Sequence, residues 1–481
     1  FLQFTIDYAR RFDKHNVGGM LLYTQREFKN DVLPSRNQGL SGRATYDYDQ
    51  RYLFEFNFGY NGTERLGKGD RFEFFPAVSL GWLVSNEKFF EPLSDVVSSL
   101  KLRGSYGLVG SDETGPSNAP HFLYIDQVQV TGNGRPGFTT GENLNVSYYG
   151  PVVQQWAVQN GGWERVKKLD VGFDMELFRE LSITFDFFYD KRYNILLHRE
   201  AWPQSLGFHE AKPWSNKGKV DNWGYEVSTN WRKQFTKDLT VDFRGTFTYT
   251  QNKYIDVDEP IYPYVWQTAT GKPLNRRNGY IAEGLFQSQE EIDNSPTQNL
   301  GSKPMPGDIK YRDVDGNGVI DSKDQVMISK TANMPRIQYG FGVNIDWKRF
   351  NFGVFFNGSA MRDININGLH PFGQNDYNAM KFVAENRWTE ANPNPNAEYP
   401  RLGLNDSQMS NNSQSSTYWI RNGNFLRFKT LEIGYRFDHV RLYFTGNNLA
   451  VFSPFKLWDP ELGWNSYPLQ RTFCIGAQLS F

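Results

Sequence analysis

The sequence has almost no cysteine and no long apolar run. Cys474 is the single cysteine among 481 residues, so an internal disulfide and a cysteine-based zinc cluster are excluded. No stretch approaches the roughly 20 consecutive apolar residues that a membrane helix needs. The chain also begins at Phe1 within a strand-like segment and without a signal peptide. We therefore expect a fragment that lacks its N-terminal portion.

An excess of one charge is missing as well. The formal net charge is -1, and acidic and basic residues are interspersed. Because nucleic-acid-binding proteins carry a basic face, we expect no nucleic-acid partner. Catalytic signatures are also missing: no HExxH or GxSxG motif occurs, and no His lies near Cys474. Carboxylates are plentiful, but nothing marks a particular glycosidase pair. The sequence therefore predicts no catalytic residue and no enzyme.

What the chain does contain is aromatic residues in strict alternation. Aromatics make up 16% of the sequence, although the mean hydropathy is negative. In the last ten residues, 472–481, the odd positions are apolar and the even positions are small or polar. The same period of two recurs in 336–347, 169–177 and 52–60. This pattern indicates strands with one face suited to lipid and the other to water.

The alternating segments number about fifteen, and their connections alternate in length. Short turns are predicted near 14–15, 49–50, 179–180, 233–237, 348–349 and 437–438, and long loops near 27–39, 109–162, 191–222, 251–335 and 359–424. Short periplasmic turns and long extracellular loops are typical of an all-β transmembrane antiparallel β-barrel. Bacterial barrels have an even strand number, so an odd count also predicts that partner strands lie upstream. At 85–99 the apolar spacing predicts a small helical cap.

One loop has the spacing of a calcium site. Its oxygen-bearing side chains occupy positions 1, 3, 5, 9 and 12, a glycine occupies position 6, and position 7 would offer its carbonyl. The predicted ligands are Asp313, Asp315, Asn317, Val319, Asp321 and Asp324. The flanks are not helical, so the loop resembles that of an EF-hand without its helices. The alternative is a solvated Asp/Asn/Gly turn without metal.

Aromatic residues are also frequent in the long loops. Flat rings near polar groups suit sugars or peptide side chains, and the candidates are Trp156, Trp163, Trp202, Trp214, Tyr262, Tyr264, Trp266 and Trp419. The alternative is that each ring fills the core of an ordered loop or belongs to the aromatic girdle at the membrane interface.

Several short motifs, in order along nearly the whole chain, resemble the SusC/RagA family of TonB-dependent transporters from Bacteroidetes. The motifs are 74–82 (FFPAVSLGW), 100–107 (LKLRGSYG), 307–311 (GDIKY), 387–389 (RWT), 399–402 (YPRL), 424–429 (NFLRFK), 447–449 (NNL), 459–461 (DPE) and 467–469 (YPL).

The resemblance implies that residues 1–481 are the C-terminal part of a plugged barrel of about 22 strands. The N-terminal plug domain and the first strands would then be absent from this sequence. It also implies the bacterial outer membrane as location and outer-membrane lipid as surroundings. The implied partners are a SusD-like surface lipoprotein, TonB acting through the missing N-terminal region, and a second such pair in a dimer.

The function that the resemblance implies is active import of oligosaccharides or oligopeptides as the SusC-like half of the pair. Two alternatives stay open. The first is a passive porin or a surface-adhesion barrel, and the second is a soluble β-rich protein that binds or hydrolyses glycans. The substrate cannot be predicted from these residues.

Overall fold

The computed structural model describes residues 1–29, 34–113, 122–130, 136–158, 161–203, 205, 212–332, 334–367, 380–403, 406–463 and 466–480. Two compact units can be distinguished. The first contains residues 1–231, 250–261 and 269–271, and the second contains residues 232–249, 262–268 and 272–481. Each unit combines long strands with a packed group of loops.

Fourteen strands lie in the described part of the first half of the chain. They are β1 (Leu2–Phe12), β2 (His15–Phe28), β3 (Ser35–Tyr48), β4 (Tyr52–Thr63), β5 (Phe72–Leu83), β6 (Val97–Ser111), β7 (Gln127–Gln129), β8 (Pro136–Thr140), β9 (Val146–Tyr149), β10 (Val152–Gln155), β11 (Glu164–Leu177), β12 (Leu181–His198), β13 (Trp214–Thr236) and β14 (Leu239–Asp256). The short strands form two separate pairs, β7 with β10 and β8 with β9.

Among the described residues of the second half, thirteen further strands occur. They are β15 (Arg277–Gly279), β16 (Ala282–Leu285), β17 (Thr297–Gln298), β18 (Ile309–Tyr311), β19 (Val319–Ile320), β20 (Val326–Ser329), β21 (Ile337–Trp347), β22 (Phe350–Ala360), β23 (Asp363–Asn365), β24 (Ile420–Asn422), β25 (Phe425–Arg436), β26 (Val440–Phe452) and β27 (Thr472–Leu479). The same described residues contain three short α-helices: α1 (Gln289–Asp293), α2 (Lys381–Asn386) and α3 (Asp406–Met409). None of the helices in the described part of the chain is long and apolar enough to cross a membrane.

The long strands form one 15-stranded sheet in which strands that follow one another in the order are hydrogen-bonded neighbours. The order is β1, β2, β3, β4, β5, β6, β11, β12, β13, β14, β21, β22, β25, β26, β27. The prediction of an all-β antiparallel architecture with about fifteen strands is therefore confirmed.

The register explains the alternation in the sequence. Phe54 of β4 lies opposite Leu80 of β5, and the next residue of β4, Glu55, lies opposite Ser79. Phe54 and Leu80 are 41% and 61% exposed. Since successive side chains in a strand point to opposite faces, the face of β4 and β5 that carries Phe54 and Leu80 is apolar and the face that carries Glu55 and Ser79 is polar. Contact of such an apolar surface with lipid acyl chains is favourable, whereas its exposure to water is unfavourable.

Two predictions about the connections need correction. The turn predicted at 233–237 is shorter, because β13 continues to Thr236 and β14 begins at Leu239. The segment predicted as a helical cap at 85–99 contains two 3-10 turns, Val84–Asn86 and Lys88–Leu93, and β6 begins at Val97. Pro92 lies inside the second turn. Its ring lacks the N–H that an α-helix requires, which explains why the periodic apolar spacing does not produce an α-helix.

Each unit has a hydrophobic core outside the long strands' apolar face. The core of the first unit contains Leu66, Phe75, Leu123, Val158, Trp163, Leu196 and Trp214. The core of the second unit is larger and is built mostly by the segments between β14 and β21 and between β22 and β25, with Tyr311, Trp388, Tyr399 and Trp419 among its members. The long connections of the second unit are therefore packed structure and position the candidate sites described next.

Candidate functional site

The loop with calcium-site spacing lies in the second unit, between β18 and β20. Gly316 and Gly318 have φ angles of 73° and 82°, a left-handed conformation that glycine adopts at little cost. After this double turn, β19 pairs in parallel with β17. The Gly318 carbonyl accepts a hydrogen bond from the Thr297 N–H at 3.0 Å. The sharp reversal and the strand that follows it therefore fix the path of the loop.

Three carboxylates of this loop converge. One side-chain oxygen from each of Asp313, Asp315 and Asp324 lies within 4.8 Å of the other two. Asp324 is fully buried, and it accepts hydrogen bonds from the N–H groups of Val314 at 2.7 Å and Asp321 at 2.9 Å. These bonds hold the last carboxylate of the loop against the first two.

Backbone donors also stabilise the first carboxylate in its charged form. The side chain of Asp313 accepts hydrogen bonds from the N–H groups of Gly318 at 2.8 Å and Gly316 at 2.7 Å. The bond from Gly318, followed by that from Gly316, lowers the pKa of Asp313 below its ordinary value. The loop therefore presents a charged carboxylate at neutral and mildly acidic pH.

Other predicted ligands make different contacts. The side-chain oxygen of Asn317 accepts a hydrogen bond from the Val319 N–H at 2.8 Å. Asp321 caps the 3-10 turn Ser322–Asp324 by accepting the Lys323 N–H at 2.7 Å. Asp321 is not part of the group of three converging carboxylates. The assignment of calcium to this loop stays a prediction.

Two of the predicted aromatic residues contact the same loop. The rings of Tyr264 and Trp266 are stacked, with centroids 4.5 Å apart. The indole N–H of Trp266 donates to the Lys323 carbonyl at 2.7 Å, and the Tyr264 hydroxyl donates to Asp315, which raises the pKa of Tyr264. This contact could not be predicted from the residue spacing within the loop, because the aromatic pair lies about fifty residues upstream in the sequence.

The other predicted aromatic residues divide by burial. Trp419, Trp163 and Trp214 are 1%, 5% and 9% exposed and belong to the hydrophobic cores of their units, which favours the alternative that they fill ordered loops. Trp202 packs against the Arg199 guanidinium at 5.1 Å. Trp156 and Tyr262 are partly exposed. A substrate-binding role for this set stays a prediction.

A buried polar network of the second unit was not identified from sequence. Asp308 is fully buried and forms an ion pair with Arg401, with 2.6 Å between the Arg401 Nε and a carboxylate oxygen. The side-chain amide of Asn412 donates to the same carboxylate at 2.8 Å. A further buried amide, Gln298, donates to the side chain of Asn411 at 2.6 Å. The network joins segments about a hundred residues apart and so positions the loops.

A second ion-pair cluster anchors the segment after β26. Arg427 is 2% exposed. It donates to both oxygens of Asp459 at 2.7 and 2.9 Å, to Glu461 at 2.8 Å, and to the side chain of Asn448. In the sequence, the motif 424–429 carries basic residues and the motif 459–461 carries acidic residues. This opposite charge alone did not identify the ion pairs between the two motifs.

Comparisons with known proteins agree with this architecture. No protein-family model matches the chain. The chain is 26% identical over 483 residues to the TonB-dependent receptor P3 of Formosa agariphila, with 92% of this chain and 45% of that protein aligned. It is 27% identical over 472 residues to the TonB-dependent receptor SusC of Bacteroides thetaiotaomicron, with 92% of this chain and 43% of that protein aligned. It therefore spans less than half the length of these two relatives.

The fold is also found among solved structures. The RagAB peptide transporter matches with a TM-score of 0.73 and 20% sequence identity, covering 100% of this chain and 55% of the transporter chain. The fold is therefore that of a TonB-dependent outer-membrane β-barrel. Within that class, the chain is similar in sequence to the TonB-dependent receptors P3 and SusC, and its fold is that of proteins of the outer membrane.

Proposed function

We propose that the chain is part of an outer-membrane importer of oligomeric nutrients, either glycans or peptides. It would act as the SusC-like half of a complex with a SusD-like surface lipoprotein, and TonB would supply the energy. The observation that carries the proposal is the sequence similarity to SusC-type receptors, which are 26% and 27% identical to the chain in alignments that cover 92% of it. The RagA-like fold over the whole chain supports it. No catalytic role is part of the proposal.

The polar face of the sheet supports a route for hydrophilic cargo. In the first unit, Arg103 on β6 donates to Asp174 at 3.2 Å and to Asp186 at 2.7 Å, and it also pairs with Asp170. These charged side chains belong to neighbouring strands and share one face of the sheet. Because unpaired charges are costly in lipid, this face fits a hydrated or protein-filled interior better than the bilayer.

The packed loops of the second unit support a receptor rather than a simple pore. Their core and their buried ion pairs create a defined surface on which a lipoprotein partner and an oligomeric ligand could assemble. In the proposed complex, two such pairs of transporter and lipoprotein would associate as a dimer. A passive porin would need no such buried loop structure. A soluble glycan-binding or hydrolytic protein would not need the many exposed apolar side chains of the long strands.

The decisive test is energy-dependent uptake by the full-length protein in its native host. Cells lacking the gene should lose growth on one class of oligomer, and the intact gene should restore it. Deletion of tonB should abolish uptake while leaving the protein in the outer membrane. A SusD-like lipoprotein should co-purify from detergent extracts, with bound oligomer identified by mass spectrometry. Uptake that continues without TonB would instead indicate a passive pore.

We also propose that the loop 313–324 binds a calcium ion with a structural role. Three carboxylates within 4.8 Å of one another offer the hard oxygen ligands that calcium prefers. The contact of this loop with Tyr264 and Trp266 means that a bound ion would stiffen both segments. The residues present therefore fit the ion.

Metal analysis of the purified full-length protein tests this second proposal. Wild type should retain about one calcium per chain after extensive dialysis, and Asp313→Ala and Asp315→Ala should lose it, because both carboxylates belong to the converging group. Asp95→Ala is the matched control, because Asp95 is an exposed carboxylate outside the loop. Equal calcium content in wild type, Asp313→Ala and Asp315→Ala would refute the proposal.

A further inference from the structure

The second unit contains a cavity of about 500 Å³ at the point where β20 meets the antiparallel pair of β23 and β24. Three cationic side chains line it: Lys330, Arg362 and Arg421. Asp363 is the single carboxylate among its described lining residues. Polar backbone and side-chain groups of Ser329, Thr331, Asn422 and Asn424 complete the polar part of the lining. The cavity therefore has a positive balance of charge.

The one carboxylate of the cavity does not neutralise these cations. Asp363 accepts hydrogen bonds from the hydroxyl of Ser329 and from that of Thr331, the latter at 3.1 Å. Arg421 donates to the Tyr418 carbonyl at 2.6 Å, and this bond brings no negative charge. The positive charge of the cavity is therefore not cancelled by an ion pair with Asp363.

Two arginine side chains in or beside the cavity have a buried N–H donor without a hydrogen-bond acceptor in the described part of the chain. The Nε of Arg362, in the cavity wall, is buried and has no hydrogen-bond partner among the described residues. The same holds for the Nε of Arg277, whose strand β15 pairs with β20 so that Arg277 lies opposite Ser329. A buried donor without an acceptor is unfavourable. Its presence is consistent with an acceptor that binds from outside the chain.

The electrostatic surroundings agree with this. Burial lowers the pKa of Arg362 and of Arg277, and nearby carboxylates only partly oppose it. For Arg277 the opposing carboxylate is Asp363. For Arg362 the opposing carboxylates are Glu461 and Asp459, which are already paired with Arg427. Both arginines thus lie in a region where negative charge would be stabilising.

We propose that this cavity, with Lys330, Arg362 and Arg421 in its wall and Arg277 beside it on β15, binds one oxyanion, a carboxylate or a sulfate group, of the transported oligomer. A guanidinium can present two parallel N–H donors to such a group, which gives both affinity and orientation. The proposal rests on the proposed function, because it assigns an acidic class of substrate to the importer. It makes charge on the cargo, rather than ring stacking alone, a determinant of specificity.

Binding to the full-length transporter in detergent tests the proposal without requiring TonB. Isothermal titration would use trigalacturonate as the carboxylate probe, inorganic sulfate as the sulfate probe, and maltotriose as the neutral oligomer. Wild type should bind at least one of the two anionic probes and should bind it more tightly than maltotriose. Loss of a charged hydrogen bond predicts about ten- to hundredfold weaker anion binding in Arg362→Gln and in Arg277→Gln.

Two variants separate charge from folding. Arg362→Lys keeps the positive charge and should retain more affinity than Arg362→Gln. Arg349→Gln is the matched control, because Arg349 is half-exposed in the turn between β21 and β22 and pairs with Asp438, and it should bind like wild type. Heat-modifiable migration in gels would confirm that each variant is folded.

The possible outcomes distinguish the two proposals. Absence of anion binding in wild type, or equal binding by wild type and both glutamine variants, would overturn the oxyanion site even if TonB-dependent uptake of a neutral oligomer is measured. Anion binding that depends on Arg362 and Arg277, together with uptake that does not depend on TonB, would overturn the proposed import mechanism and leave the site in place.

Discussion

Replacement of Arg401 by alanine should open the loops of the second unit. The Asp308 carboxylate is fully buried, and Arg401 is its one cationic partner among the described residues. Without that partner the carboxylate keeps only neutral donors, namely the side chain of Asn412 at 2.8 Å and the N–H of Met305 at 2.9 Å. Removing one member of a buried pair costs about 3–5 kcal/mol because it leaves a buried charge uncompensated.

Hydrogen exchange is the appropriate assay, since local opening can be measured while the strands stay folded. A loss of about 3–5 kcal/mol corresponds to roughly 10²- to 4 × 10³-fold faster exchange, at about 1.4 kcal/mol per factor of ten. The acceleration should appear in peptides covering 305–311 and 408–412 and not in the strands β2 to β5. A double variant, Asp308→Asn with Arg401→Met, should recover part of the protection because it removes both charges.

The pH dependence gives a second, independent readout. Burial raises the pKa of Asp308 above its ordinary value, and the Arg401 guanidinium opposes this effect. A raised pKa means that the folded state binds the proton more readily than the unfolded state, so this group's contribution to stability decreases as pH rises above about 4. Without Arg401 the raised pKa should rise further. Hydrogen exchange in Arg401→Ala should therefore slow as pH falls from 8 to 5, after correction for intrinsic exchange rates. A difference in exchange rate between this variant and wild type that does not change with pH would refute the reasoning.

Two further variants test neighbouring contacts. Gly307→Ala should destabilise the same loops by about 2–4 kcal/mol, because Gly307 has a φ of +87° and an added Cβ would lie 2.2 Å from the Trp388 ring. Gly316→Ala, with φ +73° and open space around it, should cost only the backbone term of about 1–2 kcal/mol, as measured by proteolysis midpoints. Arg427→Met should release the segment after β26, since it leaves Asp459 unpaired, and faster protease cleavage there would measure this. Unchanged cleavage would contradict the anchoring role.

The strands could be predicted from sequence because the bilayer dictates a simple rule. A strand with lipid on one side and polar groups on the other must alternate, and β21 and β27 follow that rule over their whole lengths. Only local sequence is needed to detect it. Positions of turns were less accurate, as at Thr236, because polar and charged residues such as Lys233 and Gln234 can lie in a strand as well as in a turn.

The packed loops could not be predicted, because their contacts join distant residues. Gln298 bonds to Asn411 across 113 positions, and Asp308 pairs with Arg401 across 93 positions. No periodicity marks such pairs, and a polar residue in a loop looks the same in sequence whether it is buried or solvated. The calcium-loop spacing was visible only because all its carboxylates lie within twelve consecutive residues.

The short motifs that carried the family resemblance acquire a physical explanation in these contacts. The motif 307–311 supplies Gly307 and Asp308, 387–389 supplies the Trp388 ring beside Gly307, and 399–402 supplies Arg401. In the same way, Arg427 of 424–429 bonds to both acidic residues of 459–461. These five motifs are therefore halves of buried contacts that hold the loops of the second unit in place, and a substitution in one of them should be tolerated only when its partner motif changes with it.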